Sequence, residues 1–272
     1  MTEHDSQPEP GSPDPTDETP TGNPRDPRYT FDRRIVHLRR RLVREATQAI
    51  GMLENALDAL WSLDVEAAKR VRAEDDLVDR EEVAIEEEAY SILALQHAFA
   101  RDFRLITFVL KVNSDIERVA DHAVSIAKCA LRIAKQCPPG VVPPWPTALR
   151  ELGARVPMLC HDLMRSVLDE NPEAATALVH ADQVIDKLDR RLFDEVVEMV
   201  RDDGRHDTGV AIGLLVSRVG RELERVGDLM TNIAEDLVYL ATGKIIRHKE
   251  RKNVAPASPP ASPGGDPPHL GS

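Results

Sequence analysis

Residues 114–123 read SDIERVADHA and residues 221–230 read RELERVGDLM, so one short sequence occurs twice at a spacing of 107 positions. The spacing holds without a gap along most of the chain. A constant register over such a length predicts two copies of one structural unit. Other equivalent positions at this spacing are Val65–Ala68 and Pro172–Ala175, Asp75 and Asp182, Asp79 and Asp186, and Ile126–Ala127 and Ile233–Ala234.

Apolar residues recur at steps of three and four between the two ends of the chain, which is the period of amphipathic helices. The first helix is marked by Leu38, Leu42, Ala46, Ala49, Leu53, Leu57 and Leu60. Five more are predicted at about 65–98, 102–136, 146–169, 172–202 and 208–242. Together with the duplication, this pattern predicts an all-α fold, a tandem repeat of two antiparallel three-helix bundles related by a pseudo-twofold axis.

Helix-ending residues divide the chain into domains. Residues 29–137 form the predicted first repeat and 146–247 the second, and the prolines of 138–145 form a linker because they cannot continue a helix. Residues 1–28 and 248–272 are rich in proline and polar residues, so they are predicted to be disordered tails.

Several residues are predicted to cap or to end the helices. Asp64 and Asn171 are predicted N-caps, and Asp102 is predicted to cap the third helix. Gly204 and Gly243 fit C-terminal stops.

The overall composition excludes several classes of protein. A net charge of -12 argues against nucleic acid as the main partner, because binding to phosphates needs clustered Lys and Arg. Three cysteines without a CxxC spacing favour reduced thiols over a disulfide framework. Neither a signal peptide nor a membrane-spanning apolar run is visible, so we expect a cytoplasmic protein.

Carboxylates are paired at i, i+4 in both repeats. Residues at this spacing lie about 5–6 Å apart on one helix face, and two such pairs on neighbouring antiparallel helices would bring four like charges together. A bound cation with a preference for hard oxygen ligands would relieve the repulsion. The candidate ligands are Glu117, Asp121, Glu224 and Asp228, then Asp79 and Asp186, then Asp75 and Asp182.

A solvated acidic surface is the alternative interpretation of these pairs. The chain has 47 acidic residues in 272, so pairs at this spacing are common by chance, and duplication alone would repeat them. Glu117 and Asp121 lie beside the apolar stripe rather than within it, which predicts an accessible patch and disfavours a ferritin-like di-iron interior.

Neighbouring residues receive less specific interpretations. His122 is interpreted as a surface histidine, because Leu229 stands at its equivalent position. Arg118 and Arg225 are expected to pair with the carboxylates. Glu82 and Asp189 extend the acidic stripe, either as outer ligands or as solvated charges.

No catalytic motif is recognisable in the sequence. A Gly-rich phosphate loop, a GxSxG elbow and a convincing Cys–His pair are all absent, so no catalytic residue is predicted and the protein is not expected to be an enzyme. A metal-dependent phosphohydrolase that uses the carboxylate patch remains an alternative.

Three segments resemble the PhoU family of phosphate-signalling regulators. Ser114–Ala123 and Leu223–Glu235 resemble its paired LERIGD-type signatures, and Leu95–Arg104 resembles its turn between the second and third helices. The resemblance covers about residues 32–243. Ala98 stands where the family usually has proline, and Leu229 where histidine often follows the second aspartate.

This resemblance implies a function as well as a fold. It implies acidic motifs that hold divalent or trivalent metal ions, among Fe, Mn, Mg, Zn and Ca. It also implies a negative regulator of the phosphate-starvation response, an adaptor between a phosphate ABC transporter's ATPase subunit and a sensor histidine kinase. We expect a homodimer that reaches the membrane only through these partners. An accessory subunit of an ion-coupled phosphate transporter remains an alternative.

Overall fold

Helices make up almost the whole of the described chain, as predicted. The computed structural model describes residues 27–95, 100–179, 182–202 and 206–243. Gly204 and nearly all of both predicted tails lie outside these ranges. The helices are α1 (Pro27–Ser62), α2 (Val65–Leu95), α3 (Ala100–Gln136), α4 (Thr147–Leu168), α5 (Pro172–Val179), α6 (Asp182–Asp202) and α7 (His206–Thr242).

Helix bounds differ from the predictions by a few residues. α1 begins inside the predicted tail, at Pro27, where the missing N–H of proline costs nothing in the first turn. α3 begins at Ala100, so Asp102 lies in its first turn and does not cap it. α5 and α6 together cover the single helix predicted over 172–202, with residues 180–181 outside the described part.

The turn that ends the first helix of each repeat has the same backbone geometry in both. Leu63 and Glu170 are equivalent at the spacing of 107, and both have positive φ, at 53° and 47°. Backbone hydrogen bonds of the Schellman type follow each helix end. They run from Leu63 to Leu60, Asp64 to Ala59, Glu170 to Val167 and Asn171 to Ser166.

Both predicted N-caps are confirmed. Oδ1 of Asp64 accepts the backbone N–H groups of Glu66 and Ala67 at 2.9 Å. Oδ1 of Asn171 accepts the N–H of Ala174 at 2.9 Å. Because the turn and the cap recur together, the duplication reaches the level of individual hydrogen bonds.

One continuous apolar core runs through both repeats. In the first repeat α1, α2 and α3 pack on one another, and in the second α4, α5 and α6 pack around α7. α3 packs along α7, and α1 contacts α4, which joins the repeats. Glu54 and His161, equivalent residues 107 positions apart, hydrogen-bond each other at 2.9 Å across α1 and α4, as expected for residues close to a pseudo-twofold axis.

Volume is conserved between the repeats where side chains differ. A Cβ on Gly227 would lie 2.7 Å from Ile185 Cδ1, whereas the equivalent pair in the first repeat is Ala120 and Val78. The larger residue on one helix is therefore matched by a smaller one on its neighbour, as close packing requires. Within the described residues, no helix is both long and apolar enough to cross a membrane.

Candidate metal centre

The acidic residues of the first repeat on α2 and α3 lie close enough for their charges to act on one another. Burial, then the charges of Asp79 and Asp121, raise the pKa of Asp75 above its usual range. Burial, then Asp121 and Glu82, raise the pKa of Glu117 to about 7. Asp79 and Asp121 are exposed and the other three are half-buried, so the cluster forms an accessible patch.

Glu45 of α1 joins this patch, and the sequence analysis missed it. Its side chain is 1 % exposed, and neither carboxylate oxygen has a hydrogen-bond partner. Burial, then the charges of Glu82 and Glu81, raise its pKa to about 8, with a further contribution from Glu117. The available signal was a single acid at a core position of the apolar stripe, between Leu42 and Ala49.

Arginines of α1 neutralise the neighbouring face of α2. Arg41 donates from Nε to Glu81 and from a terminal nitrogen to Glu88, both at 2.9 Å. Arg44 adds a contact of 2.8 Å to Glu81. The hydrogen bond from Arg41 outweighs burial and holds the pKa of Glu81 below its usual range. Arg41 also acts to lower the pKa of Glu45, but burial and the charges of Glu82 and Glu81 outweigh it.

The second repeat places its candidate ligands at the equivalent positions on α6 and α7. Glu224 and Asp228 are half-buried on α7. Asp186 on α6 lies 3.9 Å from Arg190, and both side chains are substantially exposed. The side chain of Asp182 lies outside the described set. An arginine thus reaches the acidic face of this repeat, at the position that Val83 occupies in the first.

The interpretation of His122 as a surface residue was wrong. Its ring is 12 % exposed, and Nδ1 lies 2.7 Å from Glu222 Oε2 on α7. Although burial opposes ionisation, this hydrogen bond and the charges around it hold the pKa of Glu222 below its usual range. The burial comes from packing of α3 on α7, so a single helix pattern could not reveal it.

The arginines of the two signatures also find different partners. Arg118 pairs with Asp115 at 3.5 Å, and Arg225 approaches Glu222 at 4.0 Å. Each carboxylate lies three residues earlier on the same helix, outside the predicted pairs.

The donor set fits a hard cation. Carboxylate oxygens are the ligands that Mg²⁺, Mn²⁺, Ca²⁺ and iron prefer. Those of Glu45 are buried and have no hydrogen-bond partner. Across the described ranges, no three His, Cys, Asp or Glu side chains are already placed to hold one ion. Binding would therefore require rotamer changes of the half-buried carboxylates.

The thiols do not contribute to this patch. Cys129, Cys137 and Cys160 are free, and burial raises the pKa of Cys129 to about 11 and that of Cys160 to about 12. Deeply buried thiols of high pKa are poor ligands and poor nucleophiles.

A cavity of about 790 Å³ lies at the linker, away from the acidic patches. Trp145 and the prolines around it form one wall, and Met199 and Ile212 lie on the other side. None of the eight predicted ligands lines it. This cavity is therefore separate from the acidic groups.

Comparisons with known proteins agree with the duplicated architecture. The PhoU domain profile matches twice, at residues 42–130 and 149–237, with the same spacing of 107 as the repeat. A PhoU homolog of Deinococcus radiodurans, named a phosphate-specific transport system accessory protein, is 34% identical over 71% of this chain and 87% of its own. A homolog of the same name from a Burkholderia species is 29% identical over 74% of this chain and 84% of its own.

Solved structures agree as well. The crystal structure of PhoU from Pseudomonas aeruginosa has a TM-score of 0.73 at 27% identity, covering 79% of this chain and all of that one. The phosphate transport system regulatory protein PhoU from Streptococcus pneumoniae has a TM-score of 0.70 at 26% identity, covering 79% of this chain and 99% of its own. With both halves matched by one domain profile and the same bundle found in solved structures, the chain belongs to the PhoU family.

Proposed function

We propose that this protein is an accessory regulator of a phosphate-specific transport system. The observation that carries the proposal is the coincidence of two PhoU domain matches with two acidic helix faces at one spacing. Relatives that bear the accessory name match along most of their length, so the proposal concerns both repeats.

In this role the protein is a negative regulator of the phosphate-starvation response. It acts as an adaptor between the ATPase subunit of a phosphate ABC transporter and a sensor histidine kinase, and holds the kinase in its non-signalling state when phosphate is plentiful. The support is the family membership and the accessible acidic patch, which lies apart from the cavity at the linker. The role is one of binding and not of catalysis.

Metal binding through the acidic faces is part of the proposal. Glu117 and Asp121, with Asp75 and Asp79, would hold a divalent or trivalent ion in the first repeat. Glu224, Asp228, Asp186 and Asp182 would do so in the second. The bound ion would supply positive charge that cross-links facing helices and offsets the repulsion within each face.

Gene deletion tests the regulatory role. Deletion should switch on phosphate-scavenging genes in phosphate-rich medium, and the wild-type gene should restore repression. A Glu117→Gln, Glu224→Gln double variant should fail to restore it. Glu66→Gln, which alters an exposed carboxylate near the start of α2, is the matched control and should restore it fully. Scavenging genes that stay silent in the deletion strain would refute the role.

Partner capture tests the adaptor role independently. Immobilised full-length protein should retain the transporter's ATPase subunit and the sensor kinase. Retention of neither would leave the family assignment intact but remove the adaptor mechanism. Sedimentation of the purified chain tests the expected homodimer.

A further inference from the structure

Two buried side chains beside the acidic patch of the first repeat leave oxygen atoms without hydrogen-bond partners. Glu45 is 1 % exposed and Asn113 is 2 % exposed. Both oxygens of Glu45 and Oδ1 of Asn113 are unpaired. Buried oxygens in folded proteins are normally satisfied, so an orphaned set calls for an explanation such as a bound ion.

These oxygens adjoin the same two carboxylate residues. Asn113 Nδ2 donates to the backbone oxygen of Glu82 at 2.9 Å, which aims its other terminal atom elsewhere. Asn113 also lies one helical turn from Glu117 on α3. Glu45 approaches from α1, and Glu82 and Glu117 are among the charges that act on it. Three helices therefore contribute oxygen atoms to one region.

The second repeat has no polar side chain at the positions of Glu45 and Asn113. Leu152, fully buried, stands at the position of Glu45, and Gly220 stands at that of Asn113. The end of the Leu192 side chain occupies the place that a Cβ on Gly220 would take. Because the same helices pack with apolar residues here, the fold itself does not require the oxygens of the first repeat.

We propose that Glu45 and Asn113 form an inner cation site, present only in the first repeat, at which Glu82 and Glu117 turn inward to complete the coordination of a hard cation such as Mn²⁺. This inference rests on the proposed metal-binding function and adds a third helix to the site. It makes the two repeats unequal, since the first holds its ion with a buried carboxylate and a buried amide that the second lacks.

Equilibrium dialysis of the chelator-treated full-length protein against Mn²⁺ tests the site. Wild type should show a tight and a weaker class of ion. Glu45→Gln keeps the shape of the side chain and should weaken only the tight class, by about 10–100-fold. Asn113→Ala should act in the same direction, and Asp228→Asn should weaken only the other class.

A matched control separates this effect from a general loss of negative charge. Glu54→Gln alters an exposed carboxylate on the same helix and should leave both classes unchanged. If Glu45→Gln and Asn113→Ala both bind Mn²⁺ as the wild type does, the inner site is refuted but the proposed metal binding is not. A wild-type protein that binds no Mn²⁺ would overturn the proposed metal binding and the inner site together.

Discussion

The two repeats have one backbone but distribute charge differently. In the first, Glu45 and Asn113 keep buried oxygens, while Arg41 pairs with Glu81 and Glu88 on the neighbouring face of α2. In the second, leucine and glycine replace them, and Arg190 approaches Asp186. The turns and N-caps are the same in both repeats, whereas the buried and charged side chains differ. The fold therefore depends on the helix register, and the charge pattern can differ between the repeats without changing it.

Because of this difference, the first repeat loses stability that the second retains. An unsatisfied buried polar group costs about 1–3 kcal/mol in a folded protein. The first repeat bears that cost at Glu45, and the second avoids it with Leu152. The second repeat has the same fold without this loss of stability. The loss in the first repeat therefore indicates a functional constraint on Glu45.

Placing a carboxylate in the second repeat should have the largest effect. Leu152→Glu puts an acid into a fully buried apolar position without a partner, so we expect a loss of about 3–5 kcal/mol in the free energy of unfolding. Urea denaturation measures it. Leu152→Met, which conserves volume, is the control and should cost less than about 1.5 kcal/mol. If Leu152→Glu costs little stability, the second repeat can also accommodate a polar side chain at this position.

Giving the second repeat the asparagine of the first should cost less. Gly220→Asn forces its new side chain against Leu192, and overpacking of this kind costs about 1–3 kcal/mol. Gly51→Ala is the control, because open space surrounds Gly51 within α1, and it should stabilise the protein by about 0.5–1 kcal/mol. If the denaturation midpoints of Gly220→Asn and Gly51→Ala shift in the same direction, the difference in packing around the two glycines is contradicted.

The pH dependence of stability should differ between wild type and Glu45→Gln. The folded pKa of Glu45 is about 8 against an ordinary 4.5, so within this window the folded state binds the extra proton. Stability is therefore fully present below pH 4.5 and falls as pH rises towards 8, by up to about 1.4 kcal/mol per unit. Glu117, with a pKa of about 7, adds a slope of the same sign.

Metal-free protein unfolded in urea at pH 6 and pH 7 would measure this slope. Glu45→Gln cannot titrate, so it should retain only the contribution of Glu117 and other groups. An identical slope in the variant would mean that the carboxyl of Glu45 ionises normally in the folded state.

Local signals were enough to predict most of the fold. Helix periodicity, the linker prolines and the N-caps Asp64 and Asn171 act within a few residues of sequence, and the structure reproduces them. The constant spacing of 107 added the relation between the halves. Helix bounds shifted by a few residues because helix ends depend on the next packed element.

The candidate site was only partly predictable for the same reason. Acidic pairs on one helix can be read from spacing, but Glu45 lies on a different helix from the residues it meets. His122 was misjudged because Glu222, its partner, comes from the other repeat. The acid at a core position of α1 was a local signal of an unusual residue, but the residues that it and His122 meet depend on tertiary packing.

The smallest expected effect tests what the repeats share. Asp64→Ala and Asn171→Ala each remove a side-chain acceptor from equivalent helix starts, and each should cost about 1 kcal/mol. Asp64→Asn retains the acceptor and serves as the control. The two caps share no partner, so the double variant should lose the sum, within about 0.5 kcal/mol. Equal costs would place the divergence of the repeats in their side-chain chemistry, whereas a clearly unequal pair would mean that the backbone of the two turns has begun to diverge as well.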